Sequence, residues 1–152
     1  MINAKEALSD EYIFIVKYHY LVSDKIDWTP YKGFVYTFDE TKDIAWLYLV
    51  SDMLITDYSS VMFDYSILNR PMLFFAYDLE DYKENLRGFY FDFVNDIPGP
   101  ISRDTDQLIK DIKEYNEDSW KEKYKNYHDK FNGIDDGHAS QKVIDVIKKV
   151  SR

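Results

Sequence analysis

The stretch that decides the fold spans residues 53–71 and reads MLITDYSSVMFDYSILNRP. Its first four residues, 53–56, form a short, mostly apolar run of the kind that makes a buried strand. Polar residues follow, and the largely apolar segment 59–69 has the length of a helix that must end before Pro71. The stretch therefore predicts a buried strand, a polar turn and a helix.

The flanking sequence repeats this alternation of strand and helix. Short apolar runs predict strands at 11–17, 33–38 and 72–76, and apolar residues at helical spacing predict a helix at 43–51. Strands and helices in this order favour right-handed βαβ units. We therefore expect an α/β fold with a Rossmann-like parallel sheet flanked by helices.

The pattern is weaker in the second half of the chain. Residues 79–86 predict a short helix, residues 89–93 an edge strand or an aromatic loop, and Pro98-Gly-Pro100 a break. Three helices are predicted beyond the break, at 104–114, 117–131 and 138–150. No internal repeat or interdomain linker divides the sequence.

Composition limits the classes of function that the chain can have. With 152 residues it is about one domain long, and a net charge of −9 without a Lys or Arg cluster argues against nucleic-acid binding. The absence of cysteine excludes disulfides, thiolate catalysis and Cys-ligated zinc. No histidines and carboxylates stand at metal-ligand spacing, so no metal site is predicted. Any phosphate ligand must therefore be held locally.

The polar turn after the strand at 53–56 is the first candidate binding site. Ligands of parallel α/β sheets lie beyond the carboxyl ends of the strands. The hydroxyls of Ser59 and Ser60 stand beside the unpaired N–H groups of a helix start, where an anion such as a diphosphate is stabilised. Helix capping by Ser59 or Asp57 explains the same residues equally well. Asp57 would repel a phosphate, so we assign it a capping or loop-ordering role.

Three further places carry polar residues that can meet a ligand. His19 directly follows the first strand, where it can donate to a phosphate or move a proton, although a surface or satisfied core histidine is commoner. Asp64 lies about one turn beyond Ser60 and either faces a ribose or makes a structural hydrogen bond. Residues 135–137, Asp-Asp-Gly, either bind sugar hydroxyls or cap the last helix, and capping is the commoner outcome.

Seven segments of the sequence, taken together, resemble a known bacterial family. They are 52–61, 63–65, 70–75, 77–78, 86–92, 98–100 and 135–140. In order and spacing they are similar to those of the CDP-glycerol glycerophosphotransferases, which polymerise teichoic acids and related polyol-phosphate polymers. The resemblance covers nearly the whole chain from about residue 12 onward, which makes it far more specific than any one segment.

This resemblance implies a GT-B architecture, in which two Rossmann-like domains face each other across a cleft. The chain is then the C-terminal half of a GT-B glycosyltransferase-type fold, with a single nucleotide-donor-binding α/β domain over residues 11–152. Residues 1–10 would be a truncated helix or the start of a piece cut from a longer protein. The acceptor-side domain and the general base would lie outside this chain, and no cofactor is implied.

Carried over position by position, the resemblance also implies roles for individual residues. The family's strand-end histidine corresponds to His19, within Lys17-Tyr-His-Tyr20, where Tyr20 replaces the usual proline. His19 is the predicted catalytic residue and would stabilise charge on the leaving CMP, while Ser59 and Ser60 meet the donor phosphates. The other predicted substrate-binding residues are Lys17, Asp64, Arg87, Gly88, Asp135, Asp136 and Gly137.

The implied reaction transfers glycerol phosphate from CDP-glycerol, or a related cytidine diphosphate donor, to a lipid-linked polyol-phosphate chain and releases CMP. The full-length protein would be cytoplasmic and peripheral on the cytoplasmic membrane face, and the isolated domain inactive. Within the enzymes, the alternative is a GT-B transferase that uses CDP-ribitol or a CMP-activated sugar, because a phosphate-binding turn does not distinguish the transferred group.

Two non-enzymatic alternatives also stay open. Asp57 at a strand end superficially resembles the phosphoacceptor of a response-regulator receiver. A receiver needs an acidic pair after its first strand, however, and Lys17 and His19 stand there instead. The other alternative is an interaction domain in which every capping residue only caps.

Overall fold

The structure is a computed structural model that describes residues 2–18, 26–39, 41–81 and 90–151. Its elements are α1 (Ile2–Leu8), β1 (Phe14–Val16), β2 (Val35–Thr37), α2 (Ile44–Val50), β3 (Leu54–Thr56), α3 (Val61–Ser66), β4 (Met72–Phe75), α4 (Leu79–Asp81), α5 (Phe93–Asp96), β5 (Ile101–Ser102), α6 (Thr105–Lys113), α7 (Glu117–Phe131) and α8 (Ala139–Val150). Strands and helices alternate from β2 to β4, and the strands pair in parallel, so the predicted α/β class is confirmed.

The strands form parallel sheets, as predicted. β1 pairs with β2 in one sheet, and the order β3-β4-β5 makes the other. Over the described residues these are two sheets rather than the single sheet expected. Phe14 of β1 and Ile55 of β3 line one apolar cavity of about 250 Å³, so the two sheets share a core.

Strand β4 is the centre of the molecule. Met72 and Phe74 pack into one hydrophobic cluster, while Leu73 between them packs into a second cluster on the other face of the sheet. Successive side chains of a strand point to opposite faces, and all three are fully buried. This double coverage explains why the strand is a continuous apolar run rather than an alternating one.

Helix α1 packs on this core. Ala4 and Leu8 are buried in the same cluster as Leu73, and α1 lies against α6. Residues 2–8 are therefore part of the folded body, although the sequence assigned residues 1–10 to a separate segment. The domain boundary at residue 11 stays a prediction.

Residues 89–93 were expected to form an edge strand or an aromatic loop. An edge strand at 89–93 is wrong for the described residues, because 90–92 have no strand pairing and Phe93 begins α5. Asp92 caps this helix by accepting a hydrogen bond from the backbone N–H of Asn95 at 3.2 Å. Phe93 is then buried in the core rather than placed on a sheet edge.

Strand β5 was not predicted, because two residues are too few to show a periodicity. It follows the break at 98–100, where Gly99 lets the chain approach β4. A Cβ atom at Gly99 would lie 1.9 Å from the carbonyl oxygen of Met72, so no larger residue fits there without moving the backbone. The glycine therefore allows the third strand of the sheet to form.

The helices show which element bounds the local sequence predicts correctly. α7 has its predicted bounds, whereas α3 is shorter than predicted and ends at Ser66, beyond which Leu68 and Asn69 bond only three residues back. Asn69, with a φ of 52°, completes the turn toward β4. Within the described ranges, no helix has the length and apolar character needed to cross a membrane. The predicted helix at 79–86 is described only as far as residue 81.

Candidate functional site

The turn between β3 and α3 contains two residues that hold its backbone and one serine whose side chain can meet a ligand. Asp57 Oδ1 accepts a hydrogen bond from the backbone N–H of Ser59 at 3.0 Å, and Ser59 Oγ accepts one from the N–H of Val61 at 3.5 Å. Ser60 occupies the N-cap position but makes no capping bond through its side chain, and it is exposed. Asp57 therefore orders the turn before α3, and Ser59 caps the helix weakly. Among the described residues the Ser60 hydroxyl has no hydrogen-bond partner and can meet a ligand.

A tyrosine ties this turn to the neighbouring strand end. The Tyr58 hydroxyl donates to Asp78 Oδ1 at 2.9 Å, and Asp78 lies just beyond β4. Burial, and then this hydrogen bond, raise the pKa of Tyr58 above its ordinary value of 10.0. Tyr58 therefore stays a neutral donor at physiological pH and holds the carboxyl ends of β3 and β4 together.

Asp64 lies one turn into α3 and is exposed, so it needs no buried partner. Burial, followed by the negative charge of Asp64, raises the pKa of Tyr48 to about 12. A ribose contact of Asp64 stays a prediction.

In the loop before α8, Asp136 uses both of its carboxylate oxygens. Oδ1 accepts from the backbone N–H of His138 at 3.0 Å, and Oδ2 lies 2.9 Å from Lys142 Nζ. The hydrogen bond from Lys142, and then that from His138, lower the pKa of Asp136 below its ordinary value. Gly137 follows with a φ of +77°, a conformation that favours glycine. Asp136 therefore orders the chain just before α8 and ties it to Lys142 of that helix, which is a structural role.

Asp135 differs from its neighbour. Its Oδ2 accepts a hydrogen bond from Asn132 Nδ2 at 3.3 Å, and the same nitrogen donates to the Phe63 carbonyl of α3 at 3.0 Å. In the part of the chain that the structure describes, Asp135 Oδ1 has no recorded partner, and the residue is exposed. The loop is thus attached to the helix that follows Ser60, with one carboxylate oxygen left over.

With this geometry in place, the comparison with known families is decisive. The sequence matches the family described as CDP-Glycerol:Poly(glycerophosphate) glycerophosphotransferase over residues 2–149. The chain belongs to this family. Membership of a transferase family rules against the receiver-like and interaction-domain alternatives, because neither of them is a transferase.

Curated and solved relatives named as teichoic acid polymerases agree with this assignment. The chain is 45% identical to the teichoic acid poly(glycerol phosphate) polymerase of Bacillus subtilis, over 95% of the chain and 20% of that protein. It is 43% identical to the teichoic acid poly(ribitol-phosphate) polymerase of Bacillus spizizenii, over 92% of the chain and 22% of that protein. A solved structure of the wall teichoic acid polymerase TagF superposes with a TM-score of 0.85 at 42% identity, covering 98% of this chain and 37% of that one. The chain therefore spans about a fifth of the curated relatives' length.

The structure brings together some of the site residues predicted from sequence. Ser59 and Ser60 lie at one end of α3, and Asp135 is attached to the middle of the same helix through Asn132. Lys17 is exposed directly after β1, and no contact joins it to these residues within the described ranges. His19, Arg87 and Gly88 lie outside the described residues.

Three residues of the candidate site were not assigned a role from sequence. They are Tyr58, Ser66 and Asn132, of which the last two are buried. A signal for Asn132 was present, because asparagine followed by glycine is typical of a helix C-terminus and this one comes just before the 135–137 loop. Its link to α3 joins residues 69 positions apart, which no local pattern shows.

Proposed function

We propose that this chain is the C-terminal, CDP-glycerol-binding domain of a GT-B glycerophosphotransferase. The full protein transfers glycerol phosphate to a polyol-phosphate chain in teichoic acid or capsule synthesis and releases CMP. One observation carries the proposal: in a member of this family, the exposed Ser60 hydroxyl makes no capping bond at the start of the helix that follows β3. A hydroxyl and helix N–H groups in that position suit the diphosphate of a nucleotide donor.

In the proposed reaction an acceptor hydroxyl attacks the phosphorus of the glycerol phosphate group. The bond from that phosphorus to the oxygen of CMP breaks, and CMP leaves with the electron pair. Ser59 and Ser60 hold the diphosphate in place, and His19 donates to it and stabilises the charge that develops on CMP. The general base that takes the proton of the acceptor hydroxyl belongs to a part of the protein outside this chain.

We assign the acceptor side and the membrane to the rest of the protein. The acceptor is proposed to be a lipid-linked polyol phosphate at the cytoplasmic membrane face, where the full-length protein is peripheral. The net charge of −9 disfavours contact of this domain with an anionic leaflet. Membrane binding therefore falls to residues beyond this chain.

Titration of the isotope-labelled chain by NMR tests donor binding. CMP and CDP-glycerol are expected to move the amide signals of Ser59 and Ser60, while GMP at the same concentration moves them less. Cytidine specificity is a necessary part of the proposal, because the family's donor is a cytidine diphosphate. Signals at Ser59 and Ser60 that no cytidine nucleotide moves would contradict donor binding at this turn.

The role of His19 needs a separate test in the full-length protein. His19→Ala is expected to lower kcat by about 100-fold or more, because a donor that stabilises the leaving group acts mainly in the transition state. His138→Ala is the matched control, since that imidazole makes no capping bond and lies at the start of α8. Equal turnover in the wild type and in His19→Ala would remove this residue from the mechanism.

A second candidate donor is CDP-ribitol. The specific observation in its favour is the 43% identity to a relative named as a poly(ribitol-phosphate) polymerase. The turn at 57–60 contacts phosphates in this proposal and so does not select the polyol. Competition between CDP-glycerol and CDP-ribitol for turnover by the full-length protein separates the two donors.

A further inference from the structure

Two of the few buried polar side chains in the described part of the protein are bonded to each other. Ser66 is fully buried at the end of α3, and Asn132 is 4% exposed at the end of α7. Ser66 Oγ lies 2.6 Å from Asn132 Oδ1 and 2.7 Å from the Phe63 carbonyl oxygen, so its one hydrogen lies between two acceptors. Burying polar groups is unfavourable unless they are paired, and this pair also fixes the rotamer of Asn132.

Asn132 uses each of its polar groups to join three parts of the molecule. Its backbone N–H donates to His128 at 2.8 Å and ends α7, and its carbonyl accepts from the N–H of Asp135 at 2.9 Å. Its side-chain nitrogen donates to the Phe63 carbonyl and to Asp135 Oδ2. The position of the Asp135 carboxylate is thus set relative to α3, the helix that begins at the proposed phosphate site.

The two adjacent aspartates of the loop are therefore used differently. Asp136 has both oxygens in contact with His138 and Lys142. Asp135 is held through one oxygen, and the other is exposed with no recorded partner among the described residues. A carboxylate fixed in this way is a prepared acceptor for a hydroxyl group, because little side-chain freedom is lost when the ligand binds.

We propose that Asn132, held by Ser66, is a positioning residue that places the Asp135 carboxylate to accept a hydrogen bond from a hydroxyl of the nucleotide donor. The hydroxyl belongs to the ribose or to the transferred polyol, which share this chemistry. The inference rests on the proposed function, since it requires that a cytidine donor binds at the start of α3.

A double-mutant cycle on the binding of CMP and CDP-glycerol to this chain tests the inference. Asn132→Ala and Asp135→Ala are each expected to raise Kd about tenfold, the usual effect of losing a hydrogen bond to a charged group. The double variant is expected to bind no more weakly than Asp135→Ala alone, because Asn132 acts through Asp135. The matched control is Asn116→Ala, which removes an asparagine cap at the opposite end of α7 and is expected to leave Kd unchanged.

The two probes distinguish the source of the hydroxyl. A contact with the ribose weakens the binding of both CMP and CDP-glycerol, whereas a contact with the polyol weakens CDP-glycerol alone, and either result supports the inference. Additive losses in the double variant, or an unchanged Kd in Asn132→Ala, would overturn it while leaving donor binding intact. Failure of the wild type to bind either probe would overturn the proposed function and this inference together.

If Asn132→Ala does not fold, an NMR measurement on proteins that keep Asn132 tests the inference instead. The side-chain amide signal of Asn132 is expected to move when CDP-glycerol is added to the wild type and to stay in place in Asp135→Ala, an exposed substitution. A merely structural Asn132 would give no shift in the wild type although the signals of Ser59 and Ser60 move. That outcome would overturn the inference.

Discussion

The turn at 57–60 and the loop at 135–137 are held by the same kind of hydrogen bond but leave different groups for a ligand. In each, an aspartate before a helix accepts a hydrogen bond from the backbone N–H two residues ahead, Asp57 from Ser59 and Asp136 from His138. The residue left for a ligand is a neutral hydroxyl, Ser60, in the first case and an anion, Asp135, in the second. In each case an aspartate orders the chain before the helix, and a different residue is left to bind.

The two sites also differ in what holds them. The backbone of the turn is held by contacts between residues two apart, and the Tyr58 hydroxyl reaches further, to Asp78 just beyond β4. The loop depends on Asn132 and Phe63, which are 69 residues apart and meet only in the folded domain. Donor affinity should therefore respond to local changes at the turn and to packing changes at the loop.

The largest expected effect is on the turn. Replacing both Ser59 and Ser60 by alanine should raise the Kd for CDP-glycerol by about a hundredfold, since two hydroxyl bonds to charged phosphates are lost. The melting temperature should change little, because Ser60 makes no capping bond and that of Ser59 is long. Calorimetry against Ser119→Ala, an exposed serine early in α7, is the check. A Kd within twofold of the wild type would place the phosphates elsewhere.

Replacing aspartate by asparagine should have opposite effects on nucleotide affinity in the turn and in the loop. Asp57→Asn keeps the oxygen that accepts from Ser59 but removes a negative charge beside the proposed phosphates, so binding of CMP should tighten severalfold. Asp135→Asn removes charge from a hydroxyl acceptor, so binding should weaken severalfold. Kd values measured at low and at physiological salt test both signs. Effects of equal sign would end the distinction between a phosphate side and a hydroxyl side.

A smaller effect is expected at Asp136. Alanine there removes the acceptor for His138 and the partner of Lys142, so the melting temperature should fall while the Kd for CDP-glycerol stays the same. Thermal unfolding and calorimetry on the same samples measure both quantities. A loss of affinity as large as that of Asp135→Ala would show that the two aspartates do not divide their roles.

The smallest expected effect is a pH dependence. The folded state lowers the pKa of Asp136 below its ordinary value of 3.8, so its stabilising contribution is present above that value and is lost as the pH falls through the lowered pKa. Carbon-detected NMR titration of its carboxyl group measures the shift. In Lys142→Met the pKa should move back toward the ordinary value, since the hydrogen bond from Lys142 is the largest cause. An unchanged pKa in that variant would assign the shift to His138.

Local sequence predicted those elements whose determinants are local. The bounds of α7 are set by an asparagine cap and an amphipathic repeat. The polar turn comes directly after β3 in the sequence. It did not predict β5, which exists because Gly99 allows a close approach to Met72. The link from Asn132 to Phe63 was missed for the same reason, since both depend on which distant residues meet.

The requirement at Gly99 has a use in comparing sequences. A methyl group there would overlap the Met72 carbonyl, so a protein that builds its third strand along this path has glycine at the equivalent place. Here that glycine stands between two prolines and five residues before Asp104, the cap of α6. In a long unannotated sequence, this spacing marks the outer edge of the sheet. The core nevertheless continues past it, because Ile112 and Tyr127 beyond this edge are buried in the two clusters that cover β4.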